Sequence, residues 1–307
     1  MARSAMARLG VAAAGALLAG SAVVAGADSV LAPSDGDPVP PPAVTAPAGR
    51  TWRLTFADEF DGSAVDRSRW TTCWDWTVSD CSRSATALGG LERYTPRQVR
   101  VRDGVATLVA QRLAKPRRGQ CYQGRCTHRS GLLTTARPGS GRPYRYVFRY
   151  GYAEARIEVS AAPGLWSTFW LLPRRTDLRG DYTHEIDVLE AAGERAGTTL
   201  QTYHYAGRTR QFRARDCPPL ATAGFHTYGV DWRPDSITFY RDGQACGRFS
   251  DAANIYDKPV QLILELMVYP STSRSGGLSL TDVPAGGRMV VDYCRVWRSV
   301  PVTAPPG

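Results

Sequence analysis

The 307-residue sequence predicts an all-β fold, an antiparallel β-sandwich of the jelly-roll type. Three observations carry this expectation. From Trp52 onward, runs rich in β-branched and aromatic residues recur every ten or so positions, which is the rhythm of a sandwich or barrel. Gly, Pro, Asp and Asn punctuate them, with Arg241-Asp242-Gly243-Gln244 as a hairpin signal of the Asp-Gly kind. No 3.6-residue apolar periodicity outlasts about two turns. Without helices to cross over between parallel strands, antiparallel pairing into two packed sheets follows.

In chain order, Arg3 and Arg8 precede an apolar run from Leu9 to about Val24, and Ala25-Gly26-Ala27 fits a small-x-small cleavage site. Residues 1–27 therefore read as a secretory signal peptide. Residues 28–50, dominated by Pro, Ala, Ser and Gly, read as a stiff linker with little to bury. One domain is expected over 51–299, with a tail at 300–307. Its strand-like runs are Trp52 to Phe56, Val99 to Val101, Ala106 to Gln111, Gly131 to Thr135, Tyr150 to Ser160, Ser167 to Leu172, Glu185 to Glu190, Thr198 to Tyr205, Phe225 to Arg233, Ser236 to Arg241, Val260 to Val268 and Met289 to Trp297. No second apolar stretch is long enough to span a bilayer, so the expectation is a secreted, extracellular product without stable membrane insertion once the signal is cleaved. Nothing in the sequence requires more than a monomer.

The formal net charge is +10, and 36 of the 38 basic residues are Arg, because Lys115 and Lys258 are the only lysines. With no basic helix and no aromatic-flanked RNA motif, the excess reads as a compositional bias rather than a nucleic-acid surface. Seven cysteines in an exported chain imply disulfides. Cys73 with Cys81 and Cys121 with Cys126 are natural local pairs, and Cys217 with Cys246 would staple a longer segment. Cys294, alternating with apolar neighbours, is left as a buried thiol.

The chemistry concentrates in His184-Glu185-Ile186-Asp187-Val188-Leu189-Glu190. On a regular strand Glu185 and Asp187 share a face and Glu190 points to the other. A β-bulge at Val188-Leu189 would return Glu190 to the acidic face, and bulges cluster beside active sites. Leaning side chains would then leave the Glu185 and Glu190 carboxyls roughly 5 to 6 Å apart, close to the spacing of about 5 to 5.5 Å in a retaining glycosidase. Three close acids without an interleaved Lys or Arg repel one another, which suits acid and base work better than surface decoration.

The preceding run places Trp166 and Trp170 an even number apart, on one strand face. Indoles beside an acidic trio suit a sugar, whose ring presents apolar C–H faces and a polar rim. His204, on the next run, reaches the acids if the two strands pair. Glu92 and Tyr94 are candidates for a cleft-edge loop, and Glu265 for an extra carboxylate in the cleft.

Together these segments resemble glycoside hydrolase family 16, the jelly-roll endo-glycanases that include laminarinases and lichenases. The resemblance rests first on Glu185-Ile186-Asp187-Val188-Leu189-Glu190. It extends through Phe56-Ala57-Asp58-Glu59-Phe60-Asp61-Gly62, Tyr150-Gly151-Tyr152-Ala153-Glu154-Ala155-Arg156-Ile157, the Gly164 to Pro173 segment, His226-Thr227-Tyr228-Gly229-Val230-Asp231-Trp232, Phe239-Tyr240-Arg241-Asp242-Gly243 and Val291-Asp292-Tyr293-Cys294-Arg295-Val296-Trp297. It implies a substrate cleft on the concave sheet, with Glu185 as nucleophile, Glu190 as general acid and base, and Asp187 orienting the nucleophile. Trp166, Trp170, Arg156 and His204 would surround the subsites. It also implies a structural calcium site on the convex face, at Glu59, Asp292 and a backbone oxygen near Gly104, while catalysis requires no cofactor.

Three positions depart from the family pattern. Gly90 stands where an Asn is usual, Leu264-Glu265-Leu266 replaces an Asn followed by a Gly pair, and His184 replaces a Gly before the nucleophile. The expected activity is hydrolysis of internal linkages in a β-1,3 or mixed β-1,3/1,4-glucan with retention, the polysaccharide being the partner. The alternatives are a transglycosylase or a galactan hydrolase of the agar or carrageenan type on the same fold, and a carbohydrate-binding protein without turnover.

Overall fold

The computed structural model describes residues 42–74, 81, 84–85, 90–138, 143–174, 183–193, 197–220, 223–269 and 286–302. The expected signal peptide, the linker up to residue 41 and the end of the tail lie outside these residues. Among the described residues there is no α-helix. The strands are β1 (Arg50–Asp58), β2 (Ser84–Ala85), β3 (Glu92–Tyr94), β4 (Val99–Arg102), β5 (Val105–Arg118), β6 (Arg125–Ser130), β7 (Leu132–Thr134), β8 (Gly151–Glu158), β9 (Leu165–Pro173), β10 (Glu185–Ala192), β11 (Thr199–Tyr205), β12 (Arg210–Arg213), β13 (Phe225–Trp232), β14 (Ile237–Arg241), β15 (Gln244–Phe249), β16 (Val260–Val268) and β17 (Gly286–Pro301).

They form two sheets. The larger has 11 strands in the order β15-β14-β13-β8-β17-β5-β6-β3-β2, with β1 on β17 and β4 on β5, and the smaller has six in the order β12-β11-β10-β9-β16-β7. Pairing is antiparallel as expected, except that β3 and β6 run parallel. The core between the sheets follows the two-residue side-chain period. Ala153, Ala155 and Ile157 of β8 point into it, as do Phe169 and Leu171 of β9 and Leu262, Leu264 and Leu266 of β16. The alternate residues of β9 and β16 therefore lie on the outer face of the six-stranded sheet.

Val44, within the expected linker, is buried against Tyr152 and Trp297, and its carbonyl accepts the Trp52 indole N–H at 2.7 Å. The three expected disulfides are present, Cys73–Cys81, Cys121–Cys126 and Cys217–Cys246, and Cys294 is a buried free thiol.

Candidate active site

On β10 the core takes Ile186, Val188, Leu189 and Ala191. Two successive residues, Val188 and Leu189, therefore face inward, which strict alternation forbids. The ladder accommodates them by a register shift between Asp187 and Leu189 against β9, and between Asp187 and Glu190 against β11. This bulge puts Glu185, Asp187 and Glu190 on the outer face together, as the spacing of the acids anticipates.

The neighbouring strands complete the group. Tyr203 of β11 packs in the core, so His204 emerges outward, opposite Glu185 in the ladder, and its Nε2 lies 3.1 Å from Asp187 Oδ2. On β9, Trp166 hydrogen-bonds Glu190, and the Trp170 indole donates to Glu265 Oε2 of β16 at 3.2 Å. The Trp166 ring also meets Tyr269 at 5.4 Å. Beyond the end of β11, Ala206, Gly207 and Arg208 all take positive φ (51°, 68° and 64°). That tight turn swings Arg208 back so that its Nη2 sits 3.0 Å from Glu185 Oε2.

Burial dominates the electrostatics. Glu185 is pushed up to about 8 by burial and then by the charge of Asp187, against the opposing charges of Arg208 and His204. Asp187 is raised well above the usual carboxylate range by burial and then by Glu190. Glu190 is raised by burial and then by Glu185, while burial lowers His204. Close, desolvated carboxyls cannot all ionise together, so the trio retains protons that an isolated acid would lose and releases them as a coupled system.

Glu92 and Tyr94 occupy β3 rather than a loop, and both are fully buried. Glu265 is 1% exposed. It lies buried beside Tyr94 and Trp170 instead of presenting an open carboxylate. At the departures from the family pattern, a Cβ at Gly90 would press on the Glu92 carboxylate, which would have to shift to admit a larger residue. His184 is turned aside against Tyr256, ring centroids 4.8 Å apart.

Two expectations are corrected. Arg156 does not reach the site: its neighbours Ala155 and Ile157 face the core, so it projects from the far side of the larger sheet. There it pairs with Asp292 at 2.6 Å and covers the Phe225 ring. The two acids among the implied calcium ligands are engaged by arginines instead. Asp292 is held by Arg156, and Glu59 binds both nitrogens of the Arg295 fork at 2.8 and 2.6 Å. Both acids are already neutralised by arginine, which does not fit an oxygen-ligated calcium site. Among the described residues, Glu185, Asp187 and His204 are the one cluster of three donors close enough to share an ion. Arg208 already supplies positive charge there. Sequence reasoning misses Arg208 because it lies in a turn before β12, a polar strand with no apolar alternation to reveal it.

Residues 95–294 match the model of glycosyl hydrolases family 16. The chain belongs to that family. The chain is 28% identical over 269 residues to a beta-glucanase of Rhodothermus marinus, covering 81% of this chain and 86% of that protein. It is 28% identical over 258 residues to endo-1,3-1,4-beta-glycanase ExsH of Rhizobium meliloti, covering 79% of this chain. The chain spans about half the length of ExsH, 51%. The solved endo-beta-1,3-glucanase from Pyrococcus furiosus superposes with a TM-score of 0.64 at 28% identity, over 85% of this chain and 99% of that one.

Proposed function

We propose that this family 16 chain is a secreted, retaining endo-β-glucanase that cleaves internal linkages of a β-1,3 or mixed β-1,3/1,4-glucan. The observation that carries the reading is the bulge, which turns Glu185 and Glu190 to one face beside Trp166 and Trp170. Relatives named as a glucan endo-1,3-beta-glucosidase, an endo-beta-1,3-glucanase and an endo-1,3-1,4-beta-glycanase support the choice of substrate.

In this reading Glu190 donates a proton to the leaving glycosidic oxygen while a Glu185 carboxylate oxygen attacks the anomeric carbon. The C–O bond to the aglycone breaks and a glycosyl ester forms. Glu190, now a carboxylate, takes a proton from water, whose oxygen displaces Glu185 and regenerates both groups. Arg208 and His204 favour the anion at Glu185, to which Asp187 is hydrogen-bonded. Its hydrogen bond orients the nucleophile.

The test is a screen of laminarin, lichenan, agarose and carrageenan for new reducing ends. Laminarin or lichenan should yield them, and a response to agarose or carrageenan alone would refute the glucan assignment. Glu185→Gln and Glu190→Gln should each lower turnover by about 10² to 10⁴-fold with thermal unfolding unchanged. Near-wild-type turnover by either variant would refute the roles.

A further inference from the structure

Below the outer face of the six-stranded sheet, two glutamates meet at one hydroxyl. Tyr94 Oη lies 2.8 Å from Glu92 Oε1 and 2.5 Å from Glu265 Oε1. The exposures of Tyr94, Glu92 and Glu265 are 0%, 0% and 1%. The other oxygens are also engaged: Glu92 Oε2 accepts the Val268 N–H at 2.9 Å, and Glu265 Oε2 accepts the Trp170 indole N–H at 3.2 Å. A phenol carries a single hydrogen, and an ionised carboxylate only accepts. Tyr94 can donate to one of the two glutamates, so the second contact needs a hydrogen from the other carboxyl. Left as two anions, the pair would press one carboxylate oxygen against a phenol oxygen with no hydrogen between them, next to a like charge, which burial heavily penalises.

We propose that Glu265 is a neutral carboxylic acid that donates to Tyr94, which donates in turn to Glu92, and that this chain fixes the Trp170 indole without adding negative charge beside Glu185. Each of the two O–H groups then has its acceptor. The surroundings choose Glu265 over Glu92 as the proton holder. Facing it are Glu92 and Tyr94 from β3, Trp170 from β9 and Glu185 from β10, with Tyr269 just past its own strand. Its ladder neighbour on β7 is the apolar Leu132. Among the described residues no basic side chain pairs with it. Burial first, then the charges of Glu92 and Glu185, push it up to about 8, against the hydrogen bond from Trp170.

Glu265 is thereby a positioning residue. The role given to Trp170 rests on the hydrolase reading, whereas the proton count does not.

The test is a carbon-detected NMR titration of the full chain labelled with ¹³C at the glutamate carboxyls, the Glu265 signal being identified by its loss in Glu265→Gln. The signal should keep the chemical shift of a protonated acid through pH 6 and move only at mildly alkaline pH. Titration in the ordinary glutamate range, near 4.3, would overturn the proposal. No substrate enters this measurement, so it stands or falls separately from the assigned activity.

The positioning role is read from a pair of variants. Glu265→Leu removes the acceptor of the indole and should raise KM by about tenfold with a smaller effect on kcat. Glu265→Gln, neutral and able both to donate to Tyr94 and to accept from Trp170, should recover most of that loss. A Gln variant as impaired as the Leu variant would contradict a neutral acid at this place. If the Leu variant does not fold, the NMR titration and the Gln variant alone decide.

Discussion

Arg208 sets the charge balance at Glu185, and removing it gives a prediction with a definite sign. A cation 3.0 Å from the carboxylate favours its ionised form. Arg208→Gln should therefore raise the proton affinity of the trio and move the acid limb of the kcat/KM profile to higher pH. At a pH below the limb, the rate should fall about tenfold for every pH unit by which the limb moves up. An unmoved limb would show that the ion pair has no part in ionising Glu185. Residues of this kind are the least legible in the sequence. The acids announce themselves by spacing, since three carboxylates on an apolar strand are costly without a use. Arg208 acts through the geometry of a left-handed turn, and nothing local to its own sequence points at Glu185. Arg156 misleads in the opposite way. Its motif is clear and it does lie on a strand, but strand periodicity gives two faces without saying which sheet or which face of it meets the substrate.

At the scale of the element, β10 is informative because its bulge is deducible. The inward pair Val188 and Leu189 and the outward Glu190 follow from one constraint, that apolar side chains seek the core while the acids share a face. Inserting one alanine between Leu189 and Glu190 would turn Glu190 toward the core, because the added residue takes the outward position that follows the inward pair. We expect such a variant to lose at least about 10²-fold in activity and to melt at a lower temperature, as measured by hydrolysis assays and thermal unfolding. Retained activity would mean that the bulge does not aim Glu190. Strands β9 and β16 are readable because both of their faces are covered, leaving long apolar runs. Strands β3, β12 and β15 are not, because they are short or polar and owe their pairing to neighbours distant in sequence.

Across the molecule, the Cys217–Cys246 disulfide ties the segment after β12, an edge of the six-stranded sheet, to β15, an edge of the larger one. It closes the side of the sandwich next to the hairpin that carries Arg208. Cys217→Ser with Cys246→Ser should cost roughly 2 to 4 kcal/mol of stability, measurable as a lower urea midpoint. A midpoint unchanged from the parent would mean that the two edges hold together without the staple. The sandwich itself is foreseeable from the rhythm of strands and turns, whereas the order of strands within each sheet rests on long-range pairing that local sequence does not encode.

Two glutamates acting from one face of a bulged strand are the centre of the proposed mechanism, and the stereochemistry of the first product tests them most directly. Proton NMR of the newly formed reducing ends, recorded before mutarotation, should show the β-anomer appearing first from a β-linked glucan, as a glycosyl ester on Glu185 requires. An α-anomer appearing first would mean direct attack by water, and would contradict the mechanism.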